Sequence, residues 1–182
     1  MELCGIVFGG SSTTYRVVEY LGVQDRYILT YLNPIEDYIQ YVDATTHTIE
    51  QKADLIMWHQ PYLDIVKYSD KENDGSNCEN CEDFLDWMEN VAIKCYNNLN
   101  KGGYLILVIC NCYKNCEELT LGVCSKDRFC KDNKFKCKSH IIKYYDEIKG
   151  TECKKYNLNY VRQLRSVYNN FYGDNIFILK RN

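Results

Sequence analysis

Apolar and polar residues follow one another along this chain in short blocks that predict strands alternating with helices. Residues Asp54–Trp58 form an apolar block without alternation, which is typical of a strand buried on both faces. Residues Asp83–Leu99 place apolar side chains at helical spacing, and Asn100 with the two glycines near it predicts the end of this helix. The other predicted strands are Leu3–Phe8, Arg26–Leu32, a short one ending at Val42–Ala44, Tyr104–Cys110, Phe135–Tyr145 and Asn175–Lys180. The other predicted helices are Thr13–Leu21, a short helix from Pro34 to Tyr41, and Leu119–Lys131.

This alternation predicts an α/β fold with a doubly wound, mostly parallel sheet of seven strands. The chain has 182 residues, enough for one domain over residues 1–182 but not for two ordinary ones. Binding sites in such folds lie at the carboxyl ends of the strands. We therefore expect the small-residue turn after Phe8 to lie near Asn33, Asp43 and the segment His59–Tyr62, since each of them follows a predicted strand.

Charge is distributed unevenly, although the net charge is only −3 and the sequence pI is about 5.7. A protein that mainly grips nucleic acid usually has an overall basic character, which this chain lacks. Acidic residues are concentrated in 70–89 and basic residues in 126–149. Such runs are most often solvated faces. The alternative interpretation is that the basic run contacts the phosphate backbone of DNA.

The sequence predicts a soluble intracellular protein. It has no apolar run near the roughly 18 residues that a membrane span needs, and Met1–Gly9 lacks the features of a signal peptide. The 11 cysteines should then be mostly thiols. Cys78 and Cys81 form a CxxC pair, but no second pair has that spacing, so we predict no metal site. Structural zinc is the weaker alternative.

An ordered series of motifs carries a resemblance to a known family. The series consists of FGGSSTT at Phe8–Thr14, RYILTYLNP at Arg26–Pro34, VDA at Val42–Ala44, HQPY at His59–Tyr62, YKNCEELTLG at Tyr113–Gly122 and the closing segment from Gly150. It resembles the S-adenosylmethionine-dependent DNA amino-methyltransferases, which methylate adenine N6 or cytosine N4. The resemblance covers nearly the whole chain and implies a Rossmann-like class I methyltransferase fold. We see no separate target-recognition domain.

The resemblance also implies where the site residues lie. The cofactor-binding residues would be Phe8, Gly9, Gly10, Ser11, Thr13, Thr14, Tyr31, Asn33, Asp43 and Ala44. The catalytic residues would be His59, Gln60, Pro61 and Tyr62. His59 and the Gln60 backbone would orient the amino group of the base, and Tyr62 would stack on the base, which such enzymes extrude from the duplex.

Several positions depart from the family pattern. Ile6 stands near the place of an acidic residue, Ser12 replaces a glycine, and Tyr31 replaces the carboxylate that accepts the ribose hydroxyls. His59 and Gln60 replace the usual Asp, Asn or Ser followed by Pro. A lost charge-assisted hydrogen bond is worth roughly 1.5–3 kcal/mol. These departures predict impaired or lost standard activity. The alternative is an inactive structural or regulatory partner, so a protein partner or an oligomer is expected.

Overall fold

The computed structural model describes residues 5–8, 13–32, 34, 36–48, 51–64, 66–114, 117–144 and 173–182. Its strands are β1 (Gly5–Phe8), β2 (Tyr27–Tyr31), β3 (Gln40–Tyr41), β4 (Ala53–His59), β5 (Leu99–Ile109), β6 (Cys112–Lys114), β7 (Glu117–Leu119), β8 (Phe135–Tyr144) and β9 (Gly173–Arg181). Its helices are α1 (Thr13–Tyr20), α2 (Cys81–Asn98) and α3 (Leu121–Cys130). Short 3-10 turns cover Gln24–Arg26, Gly75–Asn77 and Lys131–Asn133.

Seven of these strands form one sheet in the order β3-β2-β1-β4-β5-β9-β8. The strands from β3 to β5 in this order are parallel to their neighbours, whereas β9 is antiparallel to both β5 and β8. Strands β6 and β7 form a separate antiparallel hairpin. The α/β sheet of seven mostly parallel strands that the alternation predicted is confirmed, with β9 as the strand that makes it mixed.

The strand order reverses direction between β1 and β4. The chain moves one way across the sheet from β1 to β2 and the other way from β4 to β5. Crossovers between parallel strands are almost always right-handed, so these two connections place α1 and α2 on opposite faces of the sheet. A reversal of this kind opens a crevice at the carboxyl ends of the strands. Phe8 and Trp58, which are in register near the ends of β1 and β4, mark this point.

The core on one face of the sheet lies between α2, α3 and β5. Phe84 and Met88 of α2, Phe129 of α3, and Leu105 and Leu107 of β5 are fully buried there. This packing fixes the helix pair against the strands that carry the crevice. An apolar side chain of this size contributes about 1.5–3 kcal/mol when it is fully buried.

Helix α2 begins two residues before its predicted start and ends at Asn98. The Asn80 side chain caps it by accepting a hydrogen bond from the backbone N–H of Asp83 over 2.9 Å. The prediction that Asn100 and the neighbouring glycines end the helix is wrong, because β5 begins at Leu99. Gly102 adopts a φ of +80°, and the register with β4 shifts between Ala53 and Leu55. Gly102 and Gly103 therefore lie within β5, at this irregularity in its pairing with β4.

The short helix predicted from Pro34 to Tyr41 is also wrong. Residues 36–39 form a turn in which the N–H of Ile39 donates to the carbonyl of Glu36, and β3 follows directly at Gln40–Tyr41. This strand ends before Val42–Ala44, where the prediction ended it. The carboxylate of Asp43 accepts hydrogen bonds from the Thr45 backbone and hydroxyl, which turns the chain away from the sheet.

The acidic and basic runs face each other across α2 and α3. Arg128 lies 2.8 Å from Glu82, 3.0 Å from Asp86 and 3.1 Å from Glu89, and Lys131 lies 2.6 Å from Glu89. Some residues of the acidic and basic runs therefore pair with each other in an intramolecular ion-pair network. Contact of the basic run with DNA stays a prediction.

Candidate functional site

A cavity of about 340 Å³ opens at the carboxyl ends of β2 and β4. Its volume is in the range of small-molecule sites. The residues that line it come from the ends of β2, β3 and β4, from segment 68–74 and from α2: Thr30, Tyr31, Leu32, Val42, Ala44, Trp58, His59, Gln60, Pro61, Tyr68, Asn73, Asp74 and Trp87. Residues more than 50 positions apart in sequence thus form one concave surface beside the strand reversal.

Two tryptophans form the apolar side of this cavity. The ring centroids of Trp58 and Trp87 are 5.6 Å apart, and Trp58 packs at the same distance against Phe129. The indole N–H of Trp87 donates to the carbonyl of Asn73 over 3.0 Å. This bond fixes the ring against the segment that closes the cavity. An immobilised aromatic surface of this kind suits a planar ligand.

Segment 66–78 places a buried carboxylate in the cavity wall. Asp74 is 5% exposed and accepts hydrogen bonds from the hydroxyl of Ser69 and from the backbone and hydroxyl of Ser76. Gly75 allows this turn to lie close to α2, since a Cβ there would come within 2.7 Å of the Trp87 ring. The sequence interpretation assigned Asp74 to a solvated acidic run and missed it. The signal was the turn sequence Asn73-Asp74-Gly75.

Tyr31 lies at the end of β2, in the wall of the cavity. It is half-buried, and the cavity stays open beside it. Desolvation raises the pKa of its phenol, and the nearby Tyr68 and Asp74 raise it further. Tyr31 is therefore a neutral hydrogen-bonding group at pH 7, next to a carboxylate that a different segment supplies.

Ala44 lines the cavity, whereas Asp43 supports it from outside. The Asp43 carboxylate accepts a hydrogen bond of 2.7 Å from the side-chain amide of Asn73, in addition to those from Thr45. It thereby ties the end of β3 to the segment that carries Asp74.

Gln60 and Pro61 lie in the cavity wall after β4. Gln60 is 3% exposed, and neither its Nε2 nor its Oε1 has a hydrogen-bond partner in the part of the chain that the structure describes. A buried polar group without a partner costs about 1–3 kcal/mol. Most buried amides in native proteins are satisfied, so an unpaired one at a cavity indicates a position that is not optimised for stability alone.

His59 and Tyr62 meet at the other side of the strand end. The Nε2 atom of His59 lies 2.6 Å from the Tyr62 hydroxyl, which donates to the Asp174 carboxylate over 3.0 Å. His59 is in the cavity lining, whereas Tyr62 is not among the described lining residues. Desolvation lowers the pKa of His59, Asp174 opposes this shift, and Lys143 adds to it. The imidazole is therefore neutral at pH 7.

The remaining predicted cofactor-binding residues are those from Phe8 to Thr14 and Asn33. Phe8 is the last residue of β1, and Thr13 and Thr14 open α1. Gly9, Gly10, Ser11 and Asn33 lie outside the described residues. The structure thus brings Tyr31, Ala44 and His59–Pro61 together at one cavity.

Among the described residues there is no cluster of three or more His, Cys, Asp or Glu side chains that could hold a metal ion. Cys78 and Cys81 are half-buried, and desolvation raises the pKa of each thiol. No helix within the described ranges is long and apolar enough to cross a membrane.

No family model matches this sequence, and no curated protein matches it. Solved methyltransferases do share its fold. TrmN from Thermus thermophilus aligns over 100% of this chain and 45% of its own length, with 8% identity and a TM-score of 0.54. A putative methyltransferase from Thermoplasma acidophilum aligns over 100% and 69%, with 8% identity and a TM-score of 0.54. An O-methyltransferase from a trans-AT PKS multienzyme of Brevibacillus brevis, solved with S-adenosyl-L-homocysteine, aligns over 98% and 66%, with 10% identity and a TM-score of 0.52.

The fold is that of the class I methyltransferases. The identities are too low for this likeness to show more than the fold. The chain spans less than half the length of TrmN.

Proposed function

We propose that this chain binds S-adenosylmethionine in the cavity and transfers its methyl group to an amino group. The observation that carries the proposal is the position of the cavity. It opens at the strand reversal of a class I methyltransferase fold, and its walls come from the ends of β2, β3 and β4. Ligands of doubly wound sheets bind at this place.

The chemistry of the walls fits the adenosine part of the cofactor. Trp58 and Val42 offer apolar surface to a planar ring. Asp74 would accept from a ribose hydroxyl, because a carboxylate has about four acceptor positions and three donor groups occupy it here. The carboxylate that the family pattern places at the end of β2, where this chain has Tyr31, would thus come from segment 66–78.

The strand end after β4 fits an amino acceptor. A neutral imidazole has one ring nitrogen that accepts a hydrogen bond, and His59 is held neutral at the cavity. Such an acceptor binds one N–H of the substrate amine and turns the nitrogen lone pair towards the methyl group. The Gln60 carbonyl is the second acceptor in this proposal. The cofactor, when bound, would supply the electrophilic methyl group and leave as S-adenosyl-L-homocysteine, and the methylated amine would release its surplus proton to solvent.

We propose adenine N6 or cytosine N4 of DNA as the amino group that is methylated. The motif series at Phe8–Thr14 and His59–Tyr62 supports this choice. Lys136 and Lys138 are exposed on the edge strand β8 and offer positive charge for a phosphate backbone. Tyr62 is the last of the predicted catalytic residues His59–Tyr62, and its stacking on an extruded base stays a prediction.

A matched pair of variants tests the cavity assignment. We expect Asp74→Asn to weaken the binding of S-adenosyl-L-homocysteine about tenfold or more, because it removes the charge that accepts from the ribose. Asp70→Asn, a change at an exposed carboxylate of the same segment, should leave binding unchanged. Thermal melting without ligand separates lost binding from lost folding. Equal affinities in the two variants would remove Asp74 from the site.

A second candidate function is that of an inactive partner that retains the cavity. Tyr31 at the end of β2 and the unpaired Gln60 favour it, since neither matches the family pattern. Transfer of a radiolabelled methyl group to DNA separates the two candidates. Product formation supports the enzyme. Cofactor binding without transfer, combined with co-purification of an active methyltransferase, supports the partner.

A further inference from the structure

Two consecutive hydrogen bonds connect a buried carboxylate to the imidazole at the cavity. Asp174 near the start of β9 is 3% exposed, and its Oδ1 lies 3.0 Å from the Tyr62 hydroxyl. The same hydroxyl lies 2.6 Å from Nε2 of His59. Asp174 and His59 are 115 positions apart in sequence, and the pairing of β9 with β5 beside β4 brings them together. No motif in the sequence indicated this arrangement.

The number of protons available to these two hydrogen bonds determines which atom carries each proton. An ionised carboxylate can only accept, so the single proton of the Tyr62 hydroxyl is donated to Asp174. The phenol oxygen must then accept from the imidazole, which makes Nε2 of His59 the protonated ring nitrogen. In a neutral imidazole the other nitrogen, Nδ1, carries the lone pair. Within the described residues, no hydrogen bond engages Nδ1.

The charged groups around these two hydrogen bonds favour the same proton positions. Lys143 on β8 lies 3.9 Å from the second oxygen of Asp174. Cys110, directly after β5, donates to the carbonyl of Gly173, and burial together with the charge of Asp174 raises its pKa to about 11. The thiol is therefore neutral and adds no competing charge. In the part of the chain that the structure describes, the titratable groups around these two hydrogen bonds include Asp174, Lys143, Tyr62, Cys110 and Cys112.

We propose that Asp174 is a positioning residue that, through the Tyr62 hydroxyl, holds His59 as the Nε2–H tautomer. Nδ1 then accepts a hydrogen bond from the amino group that is to be methylated. This inference rests on the proposed function. It assigns the acceptor atom and explains how a histidine can stand where the family pattern has an Asp, Asn or Ser. A mobile imidazole would present N–H and lone pair to the amine in turn, whereas a fixed tautomer presents only the lone pair.

The tautomer is measurable without cofactor or substrate. Long-range proton–nitrogen correlation spectra of the full chain, labelled with ¹⁵N-histidine, distinguish protonated from unprotonated ring nitrogens. The chain has 3 histidines, and His59→Asn assigns the signal by its loss. We expect His59 above its lowered pKa to show a protonated Nε2 and an unprotonated Nδ1. His47 and His140 serve as internal references.

Tyr62→Phe is the decisive variant, because it removes the hydroxyl and keeps the ring. We expect the His59 signals to move to those of a mixture of tautomers and methyl transfer to fall about tenfold, the factor for one lost hydrogen bond. Binding of S-adenosyl-L-homocysteine should be unchanged, since Tyr62 is not among the described residues that line the cavity. The matched control is Tyr104→Phe, which removes a phenol on β5 that lies near Lys180. Tyr62→Ala tests stacking separately, because it alone removes the ring.

The outcomes separate this inference from the proposed function. A fixed Nε2–H tautomer that Tyr62→Phe abolishes supports the positioning role. A His59 that is protonated at Nδ1, or a tautomer that Tyr62→Phe leaves unchanged, overturns it even if the chain binds cofactor. A fixed tautomer in a chain that neither binds S-adenosyl-L-homocysteine nor transfers methyl overturns the proposed function and the acceptor role together, and leaves a structural hydrogen bond.

Discussion

The side-chain amide of Asn73 donates a 2.7 Å hydrogen bond to the carboxylate of Asp43, and this bond connects segment 66–78 to the end of β3. Asp74 follows directly and lines the cavity. Asn73→Ala should therefore loosen the wall that holds Asp74 without affecting the core. We expect the affinity for S-adenosyl-L-homocysteine to fall about fivefold, close to 1 kcal/mol. Titration calorimetry measures it, and unchanged affinity would show that the wall holds its position without this bond.

The Arg128 network predicts a salt-dependent contribution to stability. Arg128→Met removes ion pairs to Glu82, Asp86 and Glu89 on α2 and keeps most of the apolar stem. We expect the free energy of unfolding to fall by about 1 kcal/mol at low salt, because such pairs lie near the surface and only a network exceeds the usual value. The difference should shrink in 1 M salt. Urea unfolding at both salt concentrations checks this, and equal losses would contradict it.

Glu89 should make part of this stability depend on pH. Hydrogen bonds from Lys131 and Arg128 lower its pKa in the folded state. A lowered folded pKa means that the contribution is complete above the unfolded value, about 4.3, and is lost as the pH falls through the folded value. The wild-type chain should therefore exceed Glu89→Gln in stability at pH 7, and the two should converge in acid. A constant difference from pH 7 to pH 3 would refute this account.

The Gln60 amide, which has no hydrogen-bond partner among the described residues, predicts a gain in stability when it is removed. Gln60→Met keeps a similar volume in the cavity wall and should raise the free energy of unfolding by about 1–2 kcal/mol, part of the cost of an unsatisfied buried group. Gln40→Met, at an exposed position of β3, is the matched control and should change little. Denaturant midpoints decide the question. A destabilised Gln60→Met chain would mean that the amide has a stabilising role.

The sequence predicted the elements that depend on periodicity. The apolar block at Asp54–Trp58 is a strand, although only Ile56 and Trp58 within it are buried and the expected burial on both faces is wrong. The helical spacing within Asp83–Leu99 is a helix with one buried face, because that pattern reflects contacts with one layer of the fold. It misplaced elements that depend on tertiary pairing. The 2-residue strand β3 exists only because it pairs with Thr30 and Tyr31, and local preference favoured a helix there.

The site was predictable to the extent that it lies at strand ends. Tyr31, Ala44 and His59–Pro61 meet at the cavity because parallel strands bring their carboxyl ends to one edge. Asp74 and Asp174 could not be found in this way. One depends on how segment 66–78 folds back against Trp87, and the other on an antiparallel strand from the end of the chain. The sequence Asn73-Asp74-Gly75 marks a turn, but its packing against Trp87 and the pairing of β9 with β5 are tertiary contacts that no local pattern encodes.

The most direct test is a calorimetric titration of the purified chain with S-adenosyl-L-homocysteine. We expect one binding site per chain with micromolar affinity and thermal stabilisation on binding, because ligand that binds only the folded state raises the melting temperature. The absence of both heat and stabilisation at millimolar ligand would show that the cavity beside Asp74 and His59 is not a cofactor site.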